Sequence, residues 1–192
     1  MRFKVDPSNI YVALLHQPVY NKSGIVVTTA ITNLDLHDIA RTSKTFGLGG
    51  YYVVNQMPAQ RELAGRILKH WVEGFGAEYN PNRGEALGVI KVVAAIEDAK
   101  ADIQARHGVP PKVVATAARR VGETVGYADM RRIFEGGGPY LVVFGTGWGL
   151  TEDFLATVDY MLEPIEGPSG YNHLSVRAAS AIILDRLLGN RV

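Results

Sequence analysis

Asp35, His37 and Arg41 lie together in one stretch of the chain and offer a carboxylate, an imidazole and a guanidinium. A carboxylate or an imidazole can take a proton from a reacting group, and a guanidinium can grip a phosphate or orient a nucleophile. Each also has an ordinary use. Asp35 suits the positive end of a helix dipole, His37 can be a solvated helix residue, and Arg41 can pair with Asp38. A second group of residues points to binding rather than proton transfer. At 140–150, YLVVFGTGWGL, an apolar run passes straight into Gly145, Gly147 and Gly149, with Trp148 among them. A short apolar run closed by turn residues reads as a strand buried on both faces, and ligands of open α/β sheets sit beyond the C-terminal ends of such strands. Glycines there let the backbone approach a bound molecule closely. A plain strand-to-helix connection is the other reading of the same residues.

The loop at 163–171, EPIEGPSGY, holds Pro164, Pro168 and two glycines. Strand-to-helix connections ordinarily take about two to six residues, so a longer loop stiffened by proline implies a structural duty, that of walling a pocket. His173, just beyond it, either faces that pocket or caps the last helix. Arg119 and Arg120 follow a predicted strand directly, where they either meet phosphates or stand in solvent. The chain has no cysteine, which excludes disulfides, thiolate metal sites and a cysteine nucleophile. No metal-ligating cluster stands out.

These groups must be positioned by an alternation of strands and helices. Strands are predicted at 10–16, 51–55, 89–95, 112–116 and in the glycine-loop run, with a short one at 159–162. Residues 25–31 read as a short strand or as an extended approach to a helix. That helix is capped by Thr32 or Asn33 and buries Leu36, Ile39, Ala40, Ser43 and Phe46. Further helices are predicted at 59–75, 96–107, 128–135, in a turn from Thr151, and at 173–188; the stretch 76–87 is rich in turn residues. The pattern implies a three-layer α/β fold with a mainly parallel sheet, and 192 residues without linker or repeat read as a single domain, 1–192. The last helix is apolar around most of its circumference, so it must be buried on more than one side. A second copy of the chain gives that second side, making a homodimer; a central helix in a monomer is the alternative. Formal net charge is +1, so any nucleic-acid contact rests on local arginines and lysines. With no apolar leader and no apolar run long enough for a bilayer, the expected location is cytoplasmic, without a membrane partner.

Three blocks resemble the SPOUT superfamily of RNA methyltransferases, whose α/β-knot fold binds S-adenosylmethionine. Residues 32–54, TNLDLHDIARTSKTFGLGGYYVV, are similar to the first family motif in Arg41, Thr42, Phe46 and Gly47, with Asp35 where an asparagine is expected. Residues 143–150, VFGTGWGL, resemble the second motif, without its frequent acidic residue. Residues 163–179, EPIEGPSGYNHLSVRAA, resemble the third in Pro164, Ser175 and Val176, while Tyr171 and His173 replace the serine and asparagine of the ribose-methylating branch. The resemblance implies a C-terminal trefoil knot, S-adenosylmethionine as cofactor, and methyl transfer to a nucleotide of tRNA or rRNA by a dimer. It also implies that Thr116, Ala117, Gly145, Thr146, Gly147, Gly149, Glu163, Ile165, Asn172 and Leu174 hold the cofactor, largely through main-chain groups. Arg41, His37 and Asp35 are then the candidates for catalysis, and no metal is needed. Two other readings stand beside this one. A nucleotide or dinucleotide enzyme is disfavoured, because GTGWG lacks the GK[ST] ending of a phosphate loop and sits on a late strand. A non-catalytic RNA-binding or regulatory protein that retains the cofactor pocket is left open by the departures at Asp35, Tyr171 and His173.

Overall fold

The computed structural model describes residues 5–189. The strands are β1 (Ile10–Leu15), β2 (Val19–Tyr20), β3 (Val26–Val27), β4 (Gly50–Val54), β5 (Ile90–Val93), β6 (Lys112–Ala115), β7 (Tyr140–Gly145) and β8 (Tyr160–Met161). The helices are α1 (Asn33–Thr45), α2 (Pro58–Val72), α3 (Phe75–Tyr79), α4 (Pro81–Leu87), α5 (Ile96–His107), α6 (Tyr127–Glu135), α7 (Glu152–Leu155) and α8 (Val176–Leu188). Six strands form one sheet in the order β5-β4-β1-β7-β6-β8, and every neighbouring pair is parallel. β2 and β3 make a small antiparallel hairpin of their own.

The sequence IYVALL explains the place of β1. All six of its residues are buried, as a strand covered by helices on both faces requires. Alternate side chains enter different layers. Val12 and Leu14, with Tyr51, Val53, Val142 and Phe144, meet Leu36 and Ile39 of α1, Met130 and Phe134 of α6, and Ile183, Leu184 and Leu187 of α8. Tyr11, Ala13 and Leu15 meet the other layer, where Ala99 and Ile103 of α5 pack with Leu150 and Val19. Truncating such a core leucine to alanine costs about 2–5 kcal/mol, since a cavity remains.

The ends of elements obey local chemistry. Thr32 caps α1 by accepting from the Asp35 N–H, and Gly47 stops it at a φ of +70°. Ser175, not His173, caps α8, which therefore begins at Val176 rather than near 173. Of residues 25–31 only Val26 and Val27 pair as strand; the rest is the extended approach to α1. The stretch 76–87, expected to be turns, is mostly helix. Asn80 accepts from the Arg83 N–H and Pro81 stands at the first helical position of α4, so the Asn-Pro pair signals a helix start. The helix expected at 59–75 ends at Val72, and only its Ala64 is buried. Leu63, Val72 and Phe75, apolar residues within that stretch, are exposed. Trp71 is half-buried beneath the Arg83 guanidinium, 4.5 Å from its ring centroid. Along α8 the buried residues are Ser180, Ile183, Leu184 and Leu187, while Ala178, Ala181 and Ile182 are only half-buried. No helix among the described residues is long and apolar enough to cross a membrane.

Because all six strands run the same way, their C-terminal ends share one edge of the sheet. The segments leaving Leu15, Val54, Ala115, Gly145 and Met161 therefore begin side by side, although they are far apart in sequence.

Candidate functional site

At that edge lies a cleft of about 880 Å³. Thr29, Ala30, Thr32 and Asp35 line one side, and the glycine turn after β7 lines another. Thr116, Ala117 and Ala118 follow β6 into it, and Ile165 with residues 172–176 closes it from the last loop. Of the predicted binding residues, Thr116, Ala117, Gly145, Thr146, Gly147, Gly149, Ile165, Asn172 and Leu174 all line this cleft. Glu163 does not. Its carboxylate accepts from the Tyr127 N–H at 3.1 Å and so tethers the start of α6.

The predicted catalytic residues divide. Asp35 lines the cleft and is buried. Arg41 is exposed in a smaller adjoining hollow, which it shares with Asp38, Thr42, Ser175 and Arg177. His37 lines neither: its ring packs edge-on against Trp71 at 5.6 Å, and its Nδ1 lies 2.8 Å from the Asn33 carbonyl. The pairing of Arg41 with Asp38 is not formed. Asp38 instead meets Arg177, whose Nε lies 3.4 Å from its carboxylate, and the same guanidinium reaches Asp35 at 3.1 Å. Arg177 is thus a side chain beside the cleft that the sequence reading did not single out. Its partner lies in the first third of the chain, so no local spacing marked it.

The glycine turn is tied into the rest of the fold. The Thr146 N–H donates to the Leu15 carbonyl at 3.2 Å, the Trp148 N–H to the Tyr20 carbonyl at 2.9 Å, and the Tyr20 N–H to the Gly149 carbonyl at 2.9 Å. Gly147 has a φ of +59°, and a Cβ there would stand 2.9 Å from the Tyr20 carbonyl oxygen. This position demands glycine for both reasons. Beneath the turn, His16 is fully buried with its Nδ1 3.0 Å from Thr29 Oγ1. Burial pushes its pKa down to about 4, an effect the nearby Asp35 charge partly offsets. The fully buried Asn55 donates from its side chain to the Thr29 carbonyl at 3.0 Å. His16 and Asn55 directly follow strands β1 and β4, a second pair that the sequence reading did not single out.

The opposite wall is made differently. Asn172 donates from its side chain to the Ala118 carbonyl. Among the described residues no hydrogen bond engages the main-chain N–H groups of Ile165, Asn172 or Leu174. A cleft of this size, lined by residues whose main-chain donors are left open, suits a nucleoside, whose ring and sugar edges such groups recognise without needing particular side chains. Among the described residues no three His, Cys, Asp or Glu side chains gather as a metal site would require.

Comparison with known proteins places this arrangement. Residues 9–189 match a family described as SAM-dependent RNA methyltransferase. The chain is 48% identical over 182 residues to the tRNA (guanine-N(1)-)-methyltransferase of Oleidesulfovibrio alaskensis, covering 95% of this chain and 42% of that protein. It therefore spans less than half the length of that relative. An uncharacterized protein of Aquifex aeolicus is 41% identical over 188 residues, covering 97% of this chain and 92% of that one. Among solved structures, the SpoU methyltransferase AviRb from Streptomyces viridochromogenes in complex with the cofactor AdoMet shares the fold, with a TM-score of 0.57 at 16% identity over 97% of this chain and 59% of that one. The match along almost the whole sequence, on a sheet of this topology, assigns the chain to the SAM-dependent RNA methyltransferases of the SPOUT fold.

Proposed function

We propose that the cleft holds S-adenosylmethionine between the glycine turn and the loop of residues 163–175, and that an RNA nucleotide enters beside Asp35 to be methylated. One observation carries this reading: nearly all the residues expected to hold the cofactor, drawn from three distant segments, line a single cleft whose last wall offers open main-chain donors. When bound there, the cofactor supplies a methyl group on a sulfonium, open to direct displacement. This chain's residues align the acceptor and remove its proton. Asp35 is the proton acceptor, and Arg177 holds its carboxylate in place through the 3.1 Å contact. Arg41, exposed beside the cleft, grips an RNA phosphate, a contact that weakens as salt rises. His37 is held away by Trp71 and takes no part in this scheme.

The substrate class follows the relatives. A tRNA guanine carries at N1 a proton that must leave as a methyl arrives, which suits a carboxylate at the cleft; the relative bearing that name is longer than this chain. The half-buried outer side of α8, Ala178, Ala181 and Ile182, supports a homodimer through that helix. A trefoil knot, a single domain and a cytoplasmic location complete the proposal.

Transfer of labelled methyl from S-adenosylmethionine to total tRNA tests it. The wild-type chain is expected to label RNA, and Asp35→Asn to lose at least about a hundredfold in rate while cofactor affinity changes less than about threefold. A fully active Asp35→Asn removes the carboxylate from the mechanism. Cofactor binding without transfer to any RNA points instead to a non-catalytic binder.

A further inference from the structure

His16 shapes the cleft without lining it. Its Nδ1 lies 3.0 Å from Thr29 Oγ1, Thr29 Oγ1 lies 2.5 Å from Thr146 Oγ1, and Thr146 Oγ1 lies 3.2 Å from the Leu15 carbonyl oxygen. Thr29 is itself fixed, since its N–H donates to the His16 carbonyl at 2.9 Å and its carbonyl accepts from Asn55. Both threonines line the cleft.

The direction of the protons follows from what each group can give. Burial keeps the imidazole neutral, so it has a single N–H. Placed on Nε2, that proton would be a buried donor with no receiver, because Nε2 has no partner among the described residues. An orphaned buried N–H is rarer than an unfilled acceptor. With the proton on Nδ1, every hydrogen has a destination: Nδ1–H to Thr29, the Thr29 hydroxyl to Thr146, and the Thr146 hydroxyl to the Leu15 carbonyl. Thr146 has then turned its only proton away from the cleft, and a lone pair is what it keeps for a bound molecule.

We propose that His16 is a positioning residue which, acting through Thr29, sets Thr146 as a hydrogen-bond acceptor for a donor group of the bound cofactor. The proposal rests on the cofactor reading of the cleft given above. The donor is either the ammonium of the amino-acid tail or a hydroxyl or amino group of the nucleoside.

Calorimetric titration of the full chain with S-adenosylhomocysteine tests the relay. His16→Leu and Thr146→Val are each expected to weaken binding about tenfold, the worth of one buried hydrogen bond. His16→Asn, whose amide nitrogen falls where Nδ1 stood, is expected to bind within about threefold of wild type, and the Leu and Val changes combined to be no worse than Thr146→Val alone. Additive losses without rescue by asparagine mean that His16 only fills space, and overturn the proposal. Should His16→Leu fail to fold, Thr146→Ser and Thr146→Val carry the test: serine is expected to bind as wild type and valine not, and equal binding by both overturns it. 5′-Methylthioadenosine, which lacks the amino-acid tail, locates the donor. A valine penalty shared by both ligands assigns it to the nucleoside, and one confined to S-adenosylhomocysteine assigns it to the tail. Wild-type chain that binds neither ligand refutes the cofactor reading and this inference with it. Wild-type binding with unaffected variants refutes the relay alone.

Discussion

The two walls of the cleft are built on opposite terms. In the glycine turn, Thr146, Trp148 and Gly149 all give their main-chain N–H groups to neighbouring backbone, and Thr146 is bonded again through its hydroxyl. In residues 163–175, Pro164 is buried but 166–171 are exposed, and the side-chain bond of Asn172 to Ala118 is a tie across to another segment. A wall whose polar groups satisfy one another holds a shape. A wall that leaves them open can contribute to affinity when a ligand arrives. Shape thus rests mainly on one piece of backbone, while the open main-chain donors belong to the other.

The sharpest way to break this contrast is to strain the fixed wall. Gly147→Val places a Cβ against the Tyr20 carbonyl at a φ of +59°, a conformation costing on the order of 1–3 kcal/mol for a β-branched residue before the clash is counted. S-adenosylhomocysteine affinity is expected to fall by more than about a hundredfold, with a lowered melting temperature; unchanged affinity would free the turn from any part in binding. The fixed wall should also answer to acid. Burial holds the His16 pKa at about 4 in the folded chain, against the ordinary histidine value of 6.5 when unfolded, so between those values the unfolded chain holds more protons. Stability is therefore lost as pH falls through that window, by about 2 kcal/mol at pH 5 relative to pH 7. Denaturant midpoints measured across that range check it, and His16→Asn should flatten the curve. The open wall should respond least. Asn172→Ala removes its tie to Ala118 and is expected to weaken cofactor binding about threefold, with stability within about 0.5 kcal/mol of wild type. A large loss of stability would show that this wall, too, is part of the frame.

Much of the frame was legible because local pattern carries it. Apolar runs marked β1, β4, β6 and β7; the spacing of Leu36, Ile39, Ala40 and Ser43 marked α1; and the helix at 96–107 was placed at its observed bounds. The glycine turn announced itself through residue type. What was missed depends on partners far along the chain. Nothing near Arg177 tells that it will meet Asp35, and the histidine ending IYVALLH carries no local sign that Thr29 and Thr146 will close around it. The α3–α4 segment was misread for another reason: glycine, asparagine and proline serve turns and helix starts alike, and burial of Gly76, Gly84, Ala86 and Leu87 decided the matter.

The central position of β1 has a consequence for the birth of the protein. One of this strand's two neighbours, β7, comes some 130 residues later in the chain, with Ile10 in register beside Tyr140. At ribosomal speeds of about 5–20 residues per second, β1 waits several seconds with one apolar edge unpaired. Folding dominated by such distant pairings is slow, so nascent chains should depend on chaperones until β7 emerges.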